Sequence, residues 1–256
     1  MKILSIGNSF SADAHAYLHA LAEQRGIDLT TVNLAIGGCS LQTHWDNVVN
    51  EKANYLHSVN GGAWAEQLVT IEQILKADYY DVVTFQQVSH FSGQYETYQP
   101  YLNDLISYVR DFQPSADLYF HRTWAYETDS QHSEFPIYDR DQRKMYNAIC
   151  KASEMACLAT GATLIPSGDV IQALRERIPA FDYANGGESL CCDGFHMSMT
   201  YGRYAVALTW LATFTGKHVE PLPFMELDLG KITQICDIVN EIVFAKQKID
   251  SVSKDG

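Results

Sequence analysis

The sequence lacks the features that mark membrane, disulfide-rich and cofactor-dependent proteins. No apolar run approaches the roughly 20 residues that a helix needs to span a bilayer. Six cysteines in 256 residues are too few for a disulfide scaffold, and their positions have no metal-ligand spacing. The chain also contains no Gly-x-Gly-x-x-Gly after a strand, no Walker-type Gly-Lys-Ser/Thr and no His-Glu-x-x-His. We therefore expect no nucleotide cofactor and no metal.

Basic residues are scarce as well. Lys and Arg total 18 against 31 Asp and Glu, which gives a formal net charge of −13. A nucleic-acid-binding protein usually carries a basic face, and anionic membrane surfaces attract basic segments. We therefore expect no nucleic-acid and no membrane partner. A neutral or cationic small molecule is easier to accommodate.

The predicted first strand begins at Ile3, with no charged and apolar leader before it. As numbered, the sequence therefore predicts a cytoplasmic protein. A periplasmic or secreted protein would show the same pattern after removal of a signal peptide.

Short apolar segments alternate with helical patterns along the chain, which is typical of a parallel α/β protein. The predicted strands are residues 3–6, 29–35, 81–85, 116–121 and 162–165. The predicted helices are residues 12–25, 65–76, 98–112, 139–160, 170–177, 199–215 and 231–248. We predict a three-layer α/β/α sandwich with about five parallel strands, forming a single domain over residues 1–256. Residues 41–62 should form an irregular insertion over the sheet edge.

Ser9 lies where the first strand turns into a helix. In an open α/β sheet this is the edge at which ligands bind. The free N–H groups and positive dipole end of a helix start suit an anion, so Ser9 could be a nucleophile beside an oxyanion site. In the alternative interpretation the stretch is a turn and helix cap, with Ser11 and Asp13 capping and charging the first turn.

Two further stretches follow predicted strands. Gly38, after the second strand, could bring a backbone N–H close to a ligand, or could form a simple turn. Gln86, Gln87 and Ser89, after the third strand, could donate hydrogen bonds to a developing oxyanion, or could be a polar exit from the strand.

Asp193 precedes His196 by three residues, at a predicted turn before a helix. The carboxylate could accept the Nδ1–H bond of the imidazole, fix its tautomer and leave Nε2 facing a serine. The alternative is an Asp-Gly turn with a capping role.

In this order the four stretches resemble the blocks of the SGNH/GDSL hydrolase superfamily. Residues 7–9 (Gly-Asn-Ser) are similar to the first block, Gly-Asp-Ser, and residues 38–40 to the second. Residues 193–196 match the Asp-x-x-His of the fourth block. The third block, Gly-x-Asn-Asp in the family, is Gln-Gln-Val-Ser-His at residues 86–90, which resembles a poorly characterised bacterial branch. The resemblance covers about residues 3–215, so that residues 217–256 would be a C-terminal helical extension.

The resemblance implies a flavodoxin-like SGNH fold and acyl transfer to water through an acyl-serine, without a cofactor. Ser9 would be the nucleophile, His196 the general base and acid, and Asp193 its orienting partner. The backbone N–H groups of Ser9 and Gly38 would form the oxyanion hole. The third donor would come from Gln86, Gln87 or Ser89.

The substrate implied is a small-molecule or glycan ester, and the activity that of a carbohydrate O-acetylesterase. The alternatives are a lipase or thioesterase of the same superfamily, or a catalytically inactive carbohydrate-binding module. We predict substrate contacts for Trp45 and Trp124, which could stack on a sugar, and for Arg122, which could bind a carboxylate. Core packing, or a salt bridge for Arg122, would be the structural alternative.

Overall fold

One six-stranded sheet runs through the middle of the protein, of which the computed structural model describes residues 1–252. The strands are β1 (Lys2–Gly7), β2 (Thr30–Ala35), β3 (Leu56–Val59), β4 (Val82–Phe85), β5 (Asp117–His121) and β6 (Thr163–Ile165). The helices are α1 (Ser9–Gln24), α2 (Leu41–Val49), α3 (Ile71–Ala77), α4 (Tyr101–Phe112), α5 (Gln142–Thr160), α6 (Ser167–Arg177), α7 (Tyr201–Thr215) and α8 (Leu229–Val252). In space the strands follow the order β3-β2-β1-β4-β5-β6.

Five strands of the sheet are parallel, and only β3 pairs antiparallel, at the edge beside β2. The predicted α/β fold is confirmed, and one antiparallel strand adds to the five parallel ones. From β1 the chain passes to β2 on one side and later to β4 on the other, so the carboxyl end of β1 is a topological switch point. Ligands of open α/β sheets bind at such points, and Ser9 follows β1 there.

The side chains of β1 alternate between the two faces of the sheet and enter two separate cores. Ile3 packs in one core with α1, α6, α7 and α8, whereas Leu4 and Ile6 pack in the other with α2, α3 and α4. All three are at most 1% exposed. Complete burial of such a side chain contributes about 1.5–3 kcal/mol to stability. Cores on both faces of one sheet give the predicted three layers.

Residues 41–62 are not the irregular insertion that the sequence predicted, because they contain α2 and β3. Ser40 caps α2 by accepting a hydrogen bond from the Thr43 N–H at 3.1 Å. The strand was missed because β3 lies at the sheet edge. Leu56 and Val59 are 39% and 47% exposed there, so the segment lacks the pattern of a half-buried strand.

The helix predicted over residues 65–76 begins only at Ile71. Thr70 Oγ1 accepts a hydrogen bond from the Gln73 N–H at 3.0 Å, and Gln73 Oε1 accepts one from the Thr70 N–H at 2.8 Å. This reciprocal capping box satisfies two N–H groups at the helix start and sets the boundary there.

α8 packs against α6 and α7 as part of the main core. Its residues Ile232, Ile235 and Val239 are fully buried together with side chains of α1. The segment predicted as an extension over residues 217–256 thus contributes to the core of the domain. Residues 253–256 of that prediction lie outside the described part. None of the described helices is long and apolar enough to cross a bilayer.

Candidate active site

Asn8 fixes the turn between β1 and α1 that carries Ser9. Its Oδ1 accepts a hydrogen bond from the Phe10 N–H at 3.0 Å, which caps α1 and starts the helix at Ser9 rather than at the predicted Ala12. Its Nδ2 donates to the Cys39 carbonyl at 3.1 Å, which ties this turn to the turn after β2. The buried side-chain amide of Asn8 therefore positions both the turn that carries Ser9 and the turn that carries Gly38.

Position 7 has no room for a side chain because α1 approaches β1 closely. A Cβ on Gly7 would lie 2.5 Å from Ser11 Oγ. The Ser11 hydroxyl is buried and contacts Asn8 O at 2.7 Å and Asn33 Oδ1 at 2.8 Å. Ser11 is therefore an internal packing residue of α1, and the interpretation in which it caps the helix is wrong.

Ser9, His196 and Asp193 form a continuous hydrogen-bonded chain. The Ser9 hydroxyl donates to His196 Nε2 at 2.9 Å, and His196 Nδ1 donates to Asp193 Oδ2 at 2.7 Å. Asp193 Oδ1 accepts hydrogen bonds from the N–H groups of Phe195 at 3.1 Å and of His196 at 2.8 Å. The carboxylate thereby closes the local turn and orients the imidazole at the same time.

The carboxylate of Asp193 is held in its ionised form. Burial alone would raise its pKa, but hydrogen bonds from the His196 side chain and from two backbone N–H groups lower the pKa below its ordinary value. An ionised carboxylate at Nδ1 keeps the imidazole proton on that nitrogen, so the lone pair of Nε2 faces Ser9. The arrangement can accept the proton of the Ser9 hydroxyl, as in Ser-His-Asp triads.

Asp13 joins the helix that carries Ser9 to the loop that carries His196. Its Oδ2 accepts a hydrogen bond from the Met197 N–H at 2.8 Å, and its Oδ1 accepts one from Arg203 Nε at 2.9 Å. Burial raises the pKa of Asp13 even though both partners act to lower it. From the sequence, Asp13 was interpreted only as a charged residue of the first helical turn, whereas in the structure it anchors the residue that follows His196.

Backbone N–H groups of Ser9 and Gly38 accompany the serine hydroxyl at the same cavity. Within residues 1–252 neither group donates to another part of the protein. Gly38 has a φ of +66° in a turn that the Cys39 N–H closes onto the Ile36 carbonyl at 3.2 Å. Glycine suits this left-handed position. Two N–H groups are therefore available for a developing oxyanion.

The two glutamines after β4 bind protein groups and do not line the cavity. Gln86 Nε2 donates to Asn8 Oδ1 at 2.7 Å, and its Oε1 accepts from His121 Nδ1 at 2.9 Å. Burial lowers the pKa of His121 to about 3, so this imidazole is neutral. Gln87 Nε2 donates to Thr97 O at 3.1 Å and Thr97 Oγ1 at 3.0 Å. The prediction that Gln86 or Gln87 donates to the oxyanion is wrong, because both side-chain amides are hydrogen-bonded to other protein groups outside the cavity.

A cavity of about 650 Å³ contains the Ser9–His196 contact in its wall. Ser89 lies on the same wall, with its hydroxyl paired to the Tyr126 hydroxyl at 2.8 Å. A role for Ser89 as third oxyanion donor stays a prediction. The residues that line the cavity are Asn8, Ser9, Phe10, Gly37, Gly38, Val88, Ser89, His90, Phe91, His132, Ser133, Glu134, Phe195 and His196.

The three side chains predicted to contact substrate do not line this cavity. Arg122 is buried and pairs with carboxylates on α5 and α6. Trp124 is fully buried, and its Nε1 donates to the Phe195 carbonyl at 2.7 Å. Trp45 packs edge-on against Tyr108 of α4, with ring centroids 6.5 Å apart. These predictions were wrong because a position near the predicted site edge of the sheet does not fix the direction of the side chain.

The cavity also contains aromatic residues for which the sequence predicted no role. His90 ends the third-block stretch and Phe91 follows it, Phe195 lies inside Asp-x-x-His, and His132 comes from the loop before α5. Closeness to the matched blocks could have indicated the first three, but nothing in the sequence marks His132. In the part of the chain that the structure describes, no three His, Cys, Asp or Glu side chains are grouped to hold a metal.

The sequence matches the model of the DUF4886 family, described as a domain of unknown function, over residues 2–235. A DUF4886 protein of known structure from Bacteroides uniformis is 35% identical, with a TM-score of 0.85, and the match covers 96% of this chain and 95% of that one. A candidate SGNH hydrolase from Slackia heliotrinireducens is 21% identical, with a TM-score of 0.57 and coverage of 84% and 98%.

A catalytic variant of an acetylxylan esterase from Geobacillus stearothermophilus is 12% identical, with a TM-score of 0.54 and coverage of 82% and 92%. Similarity at such low identity shows a shared fold. None of the curated proteins matches the sequence. The chain therefore belongs to the DUF4886 family, and its fold is that of the SGNH hydrolases.

Proposed function

We propose that this protein is a serine esterase that removes short acyl groups, acetyl in particular, from carbohydrates. The observation that carries the proposal is the chain of contacts from Ser9 to His196 at 2.9 Å and from His196 to Asp193 at 2.7 Å, in the wall of an open cavity. The fold similarity to SGNH hydrolases, an acetylxylan esterase among them, supports ester chemistry.

In the first step Ser9 Oγ attacks the acyl carbonyl carbon while His196 Nε2 takes the hydroxyl proton. Asp193 stabilises the imidazolium, and the N–H groups of Ser9 and Gly38 stabilise the oxyanion. The tetrahedral intermediate collapses when the C–O bond to the alcohol breaks and His196 returns its proton to the leaving alcohol oxygen. An acyl-serine remains.

In the second step a water molecule attacks the acyl-serine, and His196 accepts one of its protons. The same N–H groups stabilise the second oxyanion. Collapse returns the proton to Ser9 Oγ and releases the carboxylic acid. No oxidant, reductant or metal takes part in either step.

The lining of the cavity favours a short acyl group and a polar alcohol. Val88 is the one aliphatic side chain among the described residues that line it. A long acyl chain would need an extended aliphatic wall for its burial. Aromatic rings interspersed with polar groups suit the mixed surface of a sugar ring instead.

A chain-length series tests this proposal. Acetyl, butyryl and octanoyl esters of one activated phenol should be hydrolysed with kcat/KM falling by at least about tenfold from acetyl to octanoyl, because added methylenes find no aliphatic wall. Acetylated xylose and glucosamine derivatives, with the release of acetate as the measurement, test whether the alcohol portion of the substrate is a carbohydrate. Preference for the octanoyl ester would favour a lipase or thioesterase, and sugar binding without turnover would favour a binding module.

Replacing Asp13 with Ala should lower kcat for the acetyl ester by about 10- to 100-fold with a smaller change in KM. The loop after His196 would lose its anchor on α1, and a displacement of about 1 Å in a catalytic group can cost about 100-fold. Asp111→Ala, at an exposed position of α4, is the matched control. A folded Asp13→Ala variant with unchanged kcat would contradict the positioning role.

A further inference from the structure

The cavity has a wall of aromatic rings that leads away from the catalytic histidine. We call Phe91, His90, His132, Phe195 and His196 the aromatic row. Neighbouring ring centroids along it are 4.2, 6.1, 4.9 and 4.3 Å apart in that order. The row therefore runs without a break from the loop after β4 to the imidazole that contacts Ser9.

Glu134 supplies negative charge beside this row. Its backbone N–H donates to His132 Nδ1 at 3.2 Å. Burial lowers the pKa of His90 and of His132, and the Glu134 carboxylate opposes that lowering in both, so its charge acts on both rings. Among the described residues that line the cavity there is no Lys and no Arg. The charge of Glu134 is therefore not neutralised by a cationic side chain of this wall.

His90 and His132 do not neutralise Glu134 either. Burial lowers the pKa of His90 and of His132, and each is lowered further by a neighbouring histidine. Both rings are therefore predominantly neutral at pH 7. Neutral aromatic faces next to a carboxylate attract cations, because ring quadrupole and carboxylate act in the same direction.

We infer that the aromatic row with Glu134 is the subsite for the alcohol portion of the substrate, and that it selects this portion by charge. It accepts alcohols with an ammonium group best, uncharged alcohols next, and alcohols with a carboxylate or phosphate poorly. The inference rests on the proposed ester hydrolysis for the identity of the ligand. It adds to that proposal the charge class of the leaving alcohol, so an amino sugar fits better than an acid sugar.

Three acetate esters of similar length test the charge preference. They are acetylcholine, its uncharged isostere with carbon in place of the nitrogen, and the analogue with a terminal carboxylate. We expect kcat/KM to fall in that order at low ionic strength, by about tenfold or more from the cation to the anion. Salt should shrink the difference, since the cavity is open to solvent.

Variants of Glu134 assign the preference to this carboxylate. Glu134→Gln should reduce the ratio between cation and anion to near one, and Glu134→Lys should invert it. Glu23→Gln, at an exposed position near the far end of α1 from Ser9, should keep the wild-type ratio. A wild-type ratio near one, or a ratio that Glu134→Lys leaves unchanged, would overturn the inference.

Binding measured by calorimetry on Ser9→Ala separates this inference from the proposed function. If the wild type hydrolyses none of the esters but the variant binds the cation more tightly than the anion, esterase activity is refuted and the charge-selective subsite stands. If the wild type hydrolyses all three esters alike and the variant binds them alike, the esterase stands and the charge-selective subsite is refuted.

Discussion

Ser9→Ala should lower kcat/KM for an activated acetyl ester by at least about a thousandfold, because the attacking oxygen is gone and only water can act. Ser9 is the one hydroxyl that contacts His196 Nε2 in the described part of the chain. The helix cap should survive the change, because it is made by the Asn8 side chain and not by Ser9. The measurement is initial rate against ester concentration, with Tm as the check on folding.

A second serine provides the control for this result. Ser115 is exposed in the turn before β5, at the edge of the sheet opposite the site. Ser115→Ala should keep the wild-type rate. A Ser9→Ala protein that is folded and retains more than about a tenth of the activity would show that hydrolysis occurs elsewhere or by another route.

Asp193→Asn should lower kcat by about 10³- to 10⁴-fold, the scale on which a triad loses function when its orienting carboxylate becomes an amide. The amide can donate to His196 Nδ1, which would move the imidazole proton to Nε2. In that tautomer Nε2 has no lone pair for the proton of Ser9. Steady-state kinetics with the same acetyl ester measure the loss.

Asp193→Asn keeps the size of the side chain, so the fold should persist. Asp111→Asn, on an exposed face of α4, is the matched control and should behave as wild type. A double variant of Ser9 and Asp193 should lose little more than Ser9→Ala alone, because the residues act as one unit. Losses that multiply would instead indicate independent roles.

The parts of the fold that follow from short stretches were predictable. Ile3, Leu4 and Ile6 before Gly7 are too few for a helix, so a buried strand was the remaining choice. The parallel sheet followed from repetition of such segments. Edge strand β3 was not predictable, because its pairing depends on β2 more than 20 residues earlier and its side chains remain exposed.

In the candidate site, too, contacts between residues close in sequence were predictable and contacts between distant residues were not. Contact between Asp193 and His196 depends on three-residue spacing in one turn, which the sequence contains. The anchor from Asp13 to Met197 joins residues 184 positions apart, and no local pattern encodes it. Gln86 illustrates a further gap: its position after β4 suggested an oxyanion donor, but the side chain turns to Asn8 instead.

Covalent labelling of the native protein is the most direct test of Ser9 as the nucleophile. Incubation with a fluorophosphonate, followed by intact-mass measurement and peptide mapping, should yield one adduct per chain, located on Ser9. The adduct should be absent in Ser9→Ala and slow to form in Asp193→Asn. An enzyme that hydrolyses acetyl esters without forming this adduct, or that carries it on another residue, would contradict the acyl-serine mechanism.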